Sequence, residues 1–162
     1  MTEKPILFEP IGTIHSPFSD PAGVPIQPRA AEGVKGKVVL EPIFEEGLKD
    51  LEGFSHLILI YYFHKAGEGD LLVMPFLDDQ KRGVFATRAP RRPNGIGISV
   101  VKLVGVQDNI LKVENLDILD GTPLLDIKPY IPDFDHYDDV RVGWLEKRRD
   151  KIPGKKSDDR FV

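Results

Sequence analysis

Glycine and proline recur along the whole chain, and their distribution restricts the fold more than any other feature of the sequence. The 162 residues include 15 Gly and 14 Pro, and these residues do not collect in one linker. Glycine weakens regular structure and proline removes a backbone donor, so both interrupt helices and strands. The pattern predicts short strands joined by turns and disfavours long helices.

Apolar patterning predicts about seven strands, of which residues 54–64 (FSHLILIYYFH) form the strongest. This stretch is apolar on both alternating faces, as in a central strand. The other predicted strands are residues 8–15, 34–41, 83–88, 98–106, 110–118 and 125–130. Residues 44–51 predict a short helix with one apolar face. The expected fold is mostly β, a single compact antiparallel or mixed β-barrel with short helices.

The length suits one domain with a sizeable core. Residues 1–139 are predicted to form the barrel domain, and residues 140–162 an appended, charged and partly mobile C-terminal extension. The N-terminus lacks the apolar stretch of a secretory signal, and the longest apolar run falls well short of the ~20 residues that span a bilayer. We therefore expect a cytoplasmic protein with no membrane association.

The absence of cysteine restricts the chemistry that this chain can perform. Disulfides, thiol nucleophiles and metal sites with Cys ligands are all excluded. The four histidines include no pair at the i, i+4 spacing of a zinc site, so no metal is expected. Nucleophile-elbow, P-loop and complete dinucleotide-binding motifs are also missing. The reactive group must come from other side chains or from a bound cofactor.

The charges are segregated along the chain. The net charge is −4, yet the stretch between Gln80 and Gln107 has six basic residues and no acidic one, which leaves −10 on the rest. Clustered like charges are typical of a surface that binds an anionic partner. The alternative is a solvated face whose arginines pair with carboxylates from elsewhere. Charge alone does not decide between them.

Two loops concentrate the candidate functional residues. Residues 85–98 (FATRAPRRPNGIGI) carry Arg88, Arg91 and Arg92 between prolines and glycines, as in a rigid loop that presents arginines to an anion. Residues 116–132 (LDILDGTPLLDIKPYIP) offer carboxylates suited to ribose hydroxyls or a cation, although Asp120-Gly121 is equally a signal for a tight turn. His64 lies where the strongest strand ends, a place where binding groups gather.

Five blocks of this sequence, in order, resemble the TsaA/TrmO family. They are IGTIHSPF (11–18), VPIQP (24–28), GLKDLEGFSHLILIYYFH (47–64), GVFATRAPRRPNGIGIS (83–99) and LDILDGTPLLDIKPYIP (116–132). Members of this family are β-barrel methyltransferases that use S-adenosylmethionine. The resemblance implies methylation of N6 of threonylcarbamoyladenosine, the base next to the anticodon of a tRNA. It also implies a homodimer with the cofactor near the subunit interface.

The resemblance also implies which residues form the site. The implied cofactor contacts are Pro25, Ile26, Gln27, His64, Lys65, Arg88, Ile98, Asp117, Ile118, Leu119, Asp120 and Gly121. Arg88, Arg91 and Arg92 would bind the tRNA, and Asp120 or a carbonyl beside it would accept the proton that N6 loses. The chain departs from the family pattern at Ile26, Arg91 and Gly95. The alternative functions are a non-catalytic RNA-binding barrel and a methyltransferase for an anionic small molecule.

Overall fold

Six antiparallel strands close into a barrel, and two further strands form a separate pair. The computed structural model describes residues 4–161. The strands are β1 (Gly12–His15), β2 (Lys35–Leu40), β3 (His56–Tyr62), β4 (Leu72–Val73), β5 (Arg82–Gly83), β6 (Ile96–Gln107), β7 (Ile110–Glu114) and β8 (Thr122–Pro129). The barrel order is β1-β2-β7-β6-β3-β8, with β8 pairing back onto β1. The predicted mostly-β barrel with short helices is confirmed.

Alternation along the strands fills the barrel. In β3, Leu57, Leu59 and Tyr61 point inward, and they lie opposite Val101, Ser99 and Gly97 of β6. Successive side chains of a strand point to opposite faces, so the even-numbered residues of β3 lie outside the barrel. As predicted for a central strand, β3 pairs on both sides, with β6 and with β8.

Helices are short. The only α-helix among residues 4–161 is α1 (Pro132–Asp135), and none is long and apolar enough to cross a membrane. The 3₁₀ helices are Pro28–Ala31, Pro42–Leu48, Leu51–Gly53, Val84–Ala86 and Gly143–Lys151. The helix predicted at residues 44–51 is thus replaced by two 3₁₀ helices, because Asp50 between them adopts a left-handed conformation with φ of 68°.

Several predicted strands have other bounds in the structure, and two of these differences have a local backbone cause. The strand expected at residues 83–88 is wrong beyond Gly83, because the backbone turns at Val84–Ala86 and the Thr87 hydroxyl caps that turn through the Val84 carbonyl. The strand expected at residues 110–118 ends at Glu114, because Asn115 has φ of 65°.

A second, smaller apolar cluster lies beside the barrel. Its buried members are Val73, Val84, Ala89 and Phe161, and Phe76 packs against them. Phe161 comes from the C-terminal residues predicted to form an appended tail, so this part of the chain packs onto the body of the molecule. The domain boundary at residue 139 stays a prediction.

Candidate functional site

A cavity of about 660 Å³ lies at the end of the barrel where β3 ends and β6 begins. Its walls come from four parts of the chain: the loop before β2, the segment from the end of β3 to the start of β6, the turn before β8, and the C-terminal residues. Cavities that bind small molecules and cofactors are commonly of this size and have mostly apolar walls with a few polar groups.

Most of the implied site residues meet in this cavity. Every implied cofactor contact except Asp120 and Gly121 lines it, and so does Arg92. Arg91 is not among the lining residues. The structure therefore gathers residues that are about 90 positions apart in sequence, and their roles in binding stay predictions.

A chain of hydrogen bonds leads from the cavity into the barrel core. The Ser99 hydroxyl donates to the Asp117 carboxyl at 2.6 Å, and the Tyr61 hydroxyl lies 2.9 Å from the Ser99 oxygen. Because the Ser99 proton points to Asp117, Tyr61 must donate to Ser99. Burial raises the pKa of Asp117 to about 7, against the lowering effects of Ser99 and of the Arg88 charge. Burial and the nearby Asp117 charge also raise the Tyr61 pKa, so its hydroxyl keeps its proton.

Asp120 is arranged differently. Its carboxylate is exposed and accepts hydrogen bonds from the Ser16 amide at 3.1 Å and from His15 Nδ1 at 3.2 Å. The Ser16 amide and His15 together lower its pKa. Gly121 has φ of 78° and its amide donates to the Ile14 carbonyl, so the Asp-Gly pair forms a tight turn that leads into β8 and lies beside β1.

The three candidate tRNA-binding arginines differ in their partners. Arg92 donates to the Thr87 and Ala89 carbonyls, both at 3.1 Å, and so fixes the loop that carries it. Arg91 lies 3.9 Å from the Asp70 carboxylate. Arg88 donates to the neutral Gln27 side chain at 2.9 Å and has no acid within 4.0 Å in the described part of the chain. Arg88 therefore forms no ion pair within residues 4–161, although its charge acts on the Asp117 carboxyl.

His64 and Lys65 lie at the end of β3. Burial and the neighbouring Lys65 charge lower the pKa of His64, so the ring is neutral at pH 7. Lys65 reaches across to the Ser19 carbonyl at 3.3 Å. No cluster of three or more His, Asp or Glu suited to a metal ion occurs in residues 4–161.

Sequence reasoning missed two groups of cavity residues. Tyr61 belongs to no motif of its own, and its part in the site follows only from its position opposite Gly97 and its hydrogen bond to Ser99. The C-terminal wall residues are Trp144, Leu145, Ile152, Ser157, Asp158 and Phe161. One signal was available, because Trp144 is the only tryptophan of the chain. Its indole N–H donates to the Ala86 carbonyl at 2.8 Å, and the Arg82 guanidinium lies 5.6 Å from its ring centre.

Comparison with known proteins agrees with this architecture. Residues 13–136 match the model of the tRNA-methyltransferase O N-terminal domain. A probable S-adenosyl-L-methionine-binding protein of Pyrococcus abyssi is 58% identical over 156 residues, which are 96% of this chain and 85% of that protein. The tRNA (adenine(37)-N6)-methyltransferase of Mus musculus is 39% identical over 85% of this chain and 33% of its own length.

Solved structures show the same fold. The crystal structure of TrmO from Pseudomonas aeruginosa superposes with a TM-score of 0.74 at 42% identity, over 87% of this chain and 63% of the bacterial chain. This chain thus spans most of the archaeal relative, under two thirds of the bacterial structure and about a third of the mouse enzyme. The family match, the relatives and the shared barrel confirm the resemblance in the sequence. The chain belongs to the tRNA-methyltransferase O family of S-adenosylmethionine-dependent tRNA methyltransferases.

Proposed function

We propose that this protein transfers a methyl group from S-adenosylmethionine to N6 of the threonylcarbamoyladenosine next to the anticodon of a tRNA, in the cytoplasm. The observation that carries the proposal is the cavity, because it places most of the implied cofactor contacts, the Asp117 carboxyl and the Arg88 guanidinium around one space. The name of the mouse relative supports the reaction class and the adenine N6 position.

The cavity walls fit the chemical character of the cofactor. Ile26, Ile98 and Leu119 provide apolar surface for an adenine ring. The Asp117 carboxylate provides a negative charge that favours a sulfonium. When bound, S-adenosylmethionine supplies a methyl group on a sulfonium, a leaving group that needs no proton. The residues of this chain therefore contribute chiefly by orienting the nucleophile and the methyl donor.

The remaining chemical task is to remove a proton from N6. The new N–C bond forms as the S–C bond breaks, and one N6 proton must go to an acceptor. Asp117 suits this task because it lines the cavity and its pKa is about 7. Asp120 remains an untested prediction for the same role, but its carboxylate is turned towards His15 and Ser16 and its lowered pKa makes it a weaker base.

Two side chains at the cavity suit the modified nucleotide. Phe85 lines the cavity and is 76% exposed, so its ring is available for stacking on an unpaired base. The Arg88 guanidinium, which has no acidic partner, suits the threonyl carboxylate or a phosphate. An anticodon loop is single-stranded, so its base can turn outward at modest cost.

The same end of the barrel offers a surface for a second copy of the chain. Outside the barrel, Tyr62, Ile96 and Ile98 are 49%, 44% and 48% exposed and form neighbouring cross-strand positions of β3 and β6. We propose a homodimer through this face. Ile96 and Ile98 also line the cavity, so the interface would adjoin the site. Light scattering on the purified chain distinguishes a dimer from a monomer.

A methyl-transfer assay with two matched tRNAs tests the proposed reaction. One tRNA carries threonylcarbamoyladenosine next to the anticodon, and the other carries plain adenosine there. With methyl-labelled S-adenosylmethionine, label should enter only the modified tRNA. Label in plain adenosine would overturn the assigned substrate. Transfer only to free nucleosides or small anions would favour the small-molecule alternative, and tRNA binding without cofactor binding would favour the non-catalytic barrel.

A further inference from the structure

The C-terminal residues form a short antiparallel ladder with the loop that carries the first group of implied cofactor contacts. The Gly23 amide donates to the Ser157 carbonyl at 2.8 Å, and the Ser157 amide donates to the Val24 carbonyl at 2.7 Å. A third bond joins the Ile26 amide to the Lys155 carbonyl at 3.2 Å, and Pro25 pairs with Lys156 between them. The ladder ends at Ile26, the residue before Gln27.

The Ser157 side chain reinforces this ladder. Its hydroxyl accepts a hydrogen bond from the Val24 amide at 2.9 Å and donates one to the Pro21 carbonyl. The hydroxyl therefore uses both its donor and its acceptor capacity on one loop. Within residues 4–161, every main-chain hydrogen bond from residues 23–26 to another part of the chain goes to residues 155–157. The barrel strands make no such bond to this stretch.

Residues on both sides of this ladder contact a second wall of the cavity, which includes Pro75, Phe76 and Ala86. Arg148 donates to the buried Asp78 carboxylate at 3.0 Å, and Trp144 donates to the Ala86 carbonyl. Arg160 donates to the Pro75 carbonyl at 2.7 Å, and the Phe161 ring packs edge-on against Phe76 at 5.0 Å. The C-terminal segment thus connects two walls of the cavity, the loop at residues 21–27 and the wall that includes Pro75, Phe76 and Ala86.

We propose that the C-terminal segment, residues 140–161, is a positioning element of the cofactor site, and that Ser157 fixes the loop at residues 21–27 in the conformation that binds S-adenosylmethionine. The family match ends at residue 136, so this element lies outside the part of the chain that defines the family. Holding a loop in its bound conformation before the ligand arrives raises affinity, because the loop loses less conformational entropy on binding. This inference rests on the proposed cofactor site.

Ser157→Ala tests the proposal with little disturbance, because it removes two hydrogen bonds and leaves the main-chain ladder in place. The dissociation constant for S-adenosylmethionine, measured by calorimetry on the full chain, should rise by about five- to tenfold. Amide exchange in residues 21–27 should become faster in the cofactor-free protein. Ser157→Thr keeps the hydroxyl and should restore both values. Ser55→Ala, a serine at the opposite end of β3, is the matched control and should change neither.

The outcomes separate this proposal from the one on which it rests. A wild-type chain that does not bind S-adenosylmethionine overturns the proposed function. A wild-type chain that binds, together with a Ser157→Ala variant of unchanged affinity, overturns the positioning role alone. A variant with a lower melting temperature but the same affinity and the same exchange in residues 21–27 gives Ser157 a merely structural role and also overturns it.

Discussion

Asp117 combines a half-buried carboxyl group, whose charged form burial disfavours, with a hydrogen bond that holds the group in one orientation. The donor to Asp117 is Ser99, and the donor to Ser99 is the buried Tyr61. Burial holds its pKa near 7, where a group can accept and release a proton with little bias.

We predict that the rate of methyl transfer rises with pH and levels off above about pH 7. Asp117 must be ionised to accept a proton, and its pKa is about 7, so the active form accumulates as the pH rises through that value. Asp117→Asn should lower kcat by about 10²- to 10⁴-fold. Single-turnover rates from pH 5.5 to pH 9 measure both effects. An unchanged inflection in the Asp117→Asn variant would assign it to another group.

The same carboxyl group should also make the folded protein less stable as the pH rises. The pKa of Asp117 is about 7 in the folded state and is ordinarily 3.8, so between these values the folded state holds more protons than the unfolded state. Stability therefore falls as the pH rises from 4 to 7, by linkage. Asp117→Asn should raise the melting temperature at pH 8 and have less effect at pH 5. Asp139→Asn is the exposed control, and parallel melting curves for both variants would contradict the prediction.

At the scale of the strand, the pairing of β3 with β6 brings the Tyr61 ring close to the backbone of Gly97. Gly97 lies opposite Tyr61, and a Cβ at Gly97 would overlap the Tyr61 ring. A glycine at position 97 therefore admits the Tyr61 ring, which starts the hydrogen-bond chain to Asp117.

We predict that Gly97→Ala destabilises the protein by about 1–3 kcal/mol, as overpacking usually does. A shift of a few degrees in melting temperature is expected for each kcal/mol in a chain of this size. Gly105→Ala is the matched control in the same strand, because a Cβ there meets no atom within 4 Å. Equal melting temperatures for Gly97→Ala and the wild type would show that Tyr61 can move aside without cost.

Some elements of this fold can be predicted from the sequence, and others cannot. Residues 54–64 were predictable as a strand because both faces are apolar, and the structure trims them by only two residues at each end. The β4–β5 pair has two residues in each strand, too few for any period to show. The C-terminal ladder depends on backbone groups and one serine hydroxyl, which carry no sequence signal, so the sequence alone predicts only a charged extension there.

At the scale of the whole molecule, about half of the basic side chains between Gln80 and Gln107 are paired with carboxylates. Arg82 is bonded to Asp78 at 2.7 Å, and Lys102 and Arg91 each lie 3.9 Å from a carboxylate. Both interpretations of the charge pattern therefore hold in part. Three of the six cations, Arg82, Arg91 and Lys102, are paired with carboxylates. Arg88 and Arg92 line the cavity, and Arg92 is held by two main-chain carbonyls, so Arg88 is the cavity arginine available to an anion.

The difference between Arg88, which is in no ion pair within the described residues, and the paired cations predicts which substitution weakens tRNA binding. Arg88→Ala should lower tRNA affinity and reduce the slope of log K against log salt by about 0.7, the value for one phosphate contact on a single strand. Lys102→Ala is the matched control, because Lys102 lies on β6, pairs with Glu114 and does not line the cavity. Binding curves at several salt concentrations, measured without cofactor, give both slopes. If Lys102→Ala changes the slope as much as Arg88→Ala does, the protein binds tRNA through its general charge and not at the cavity.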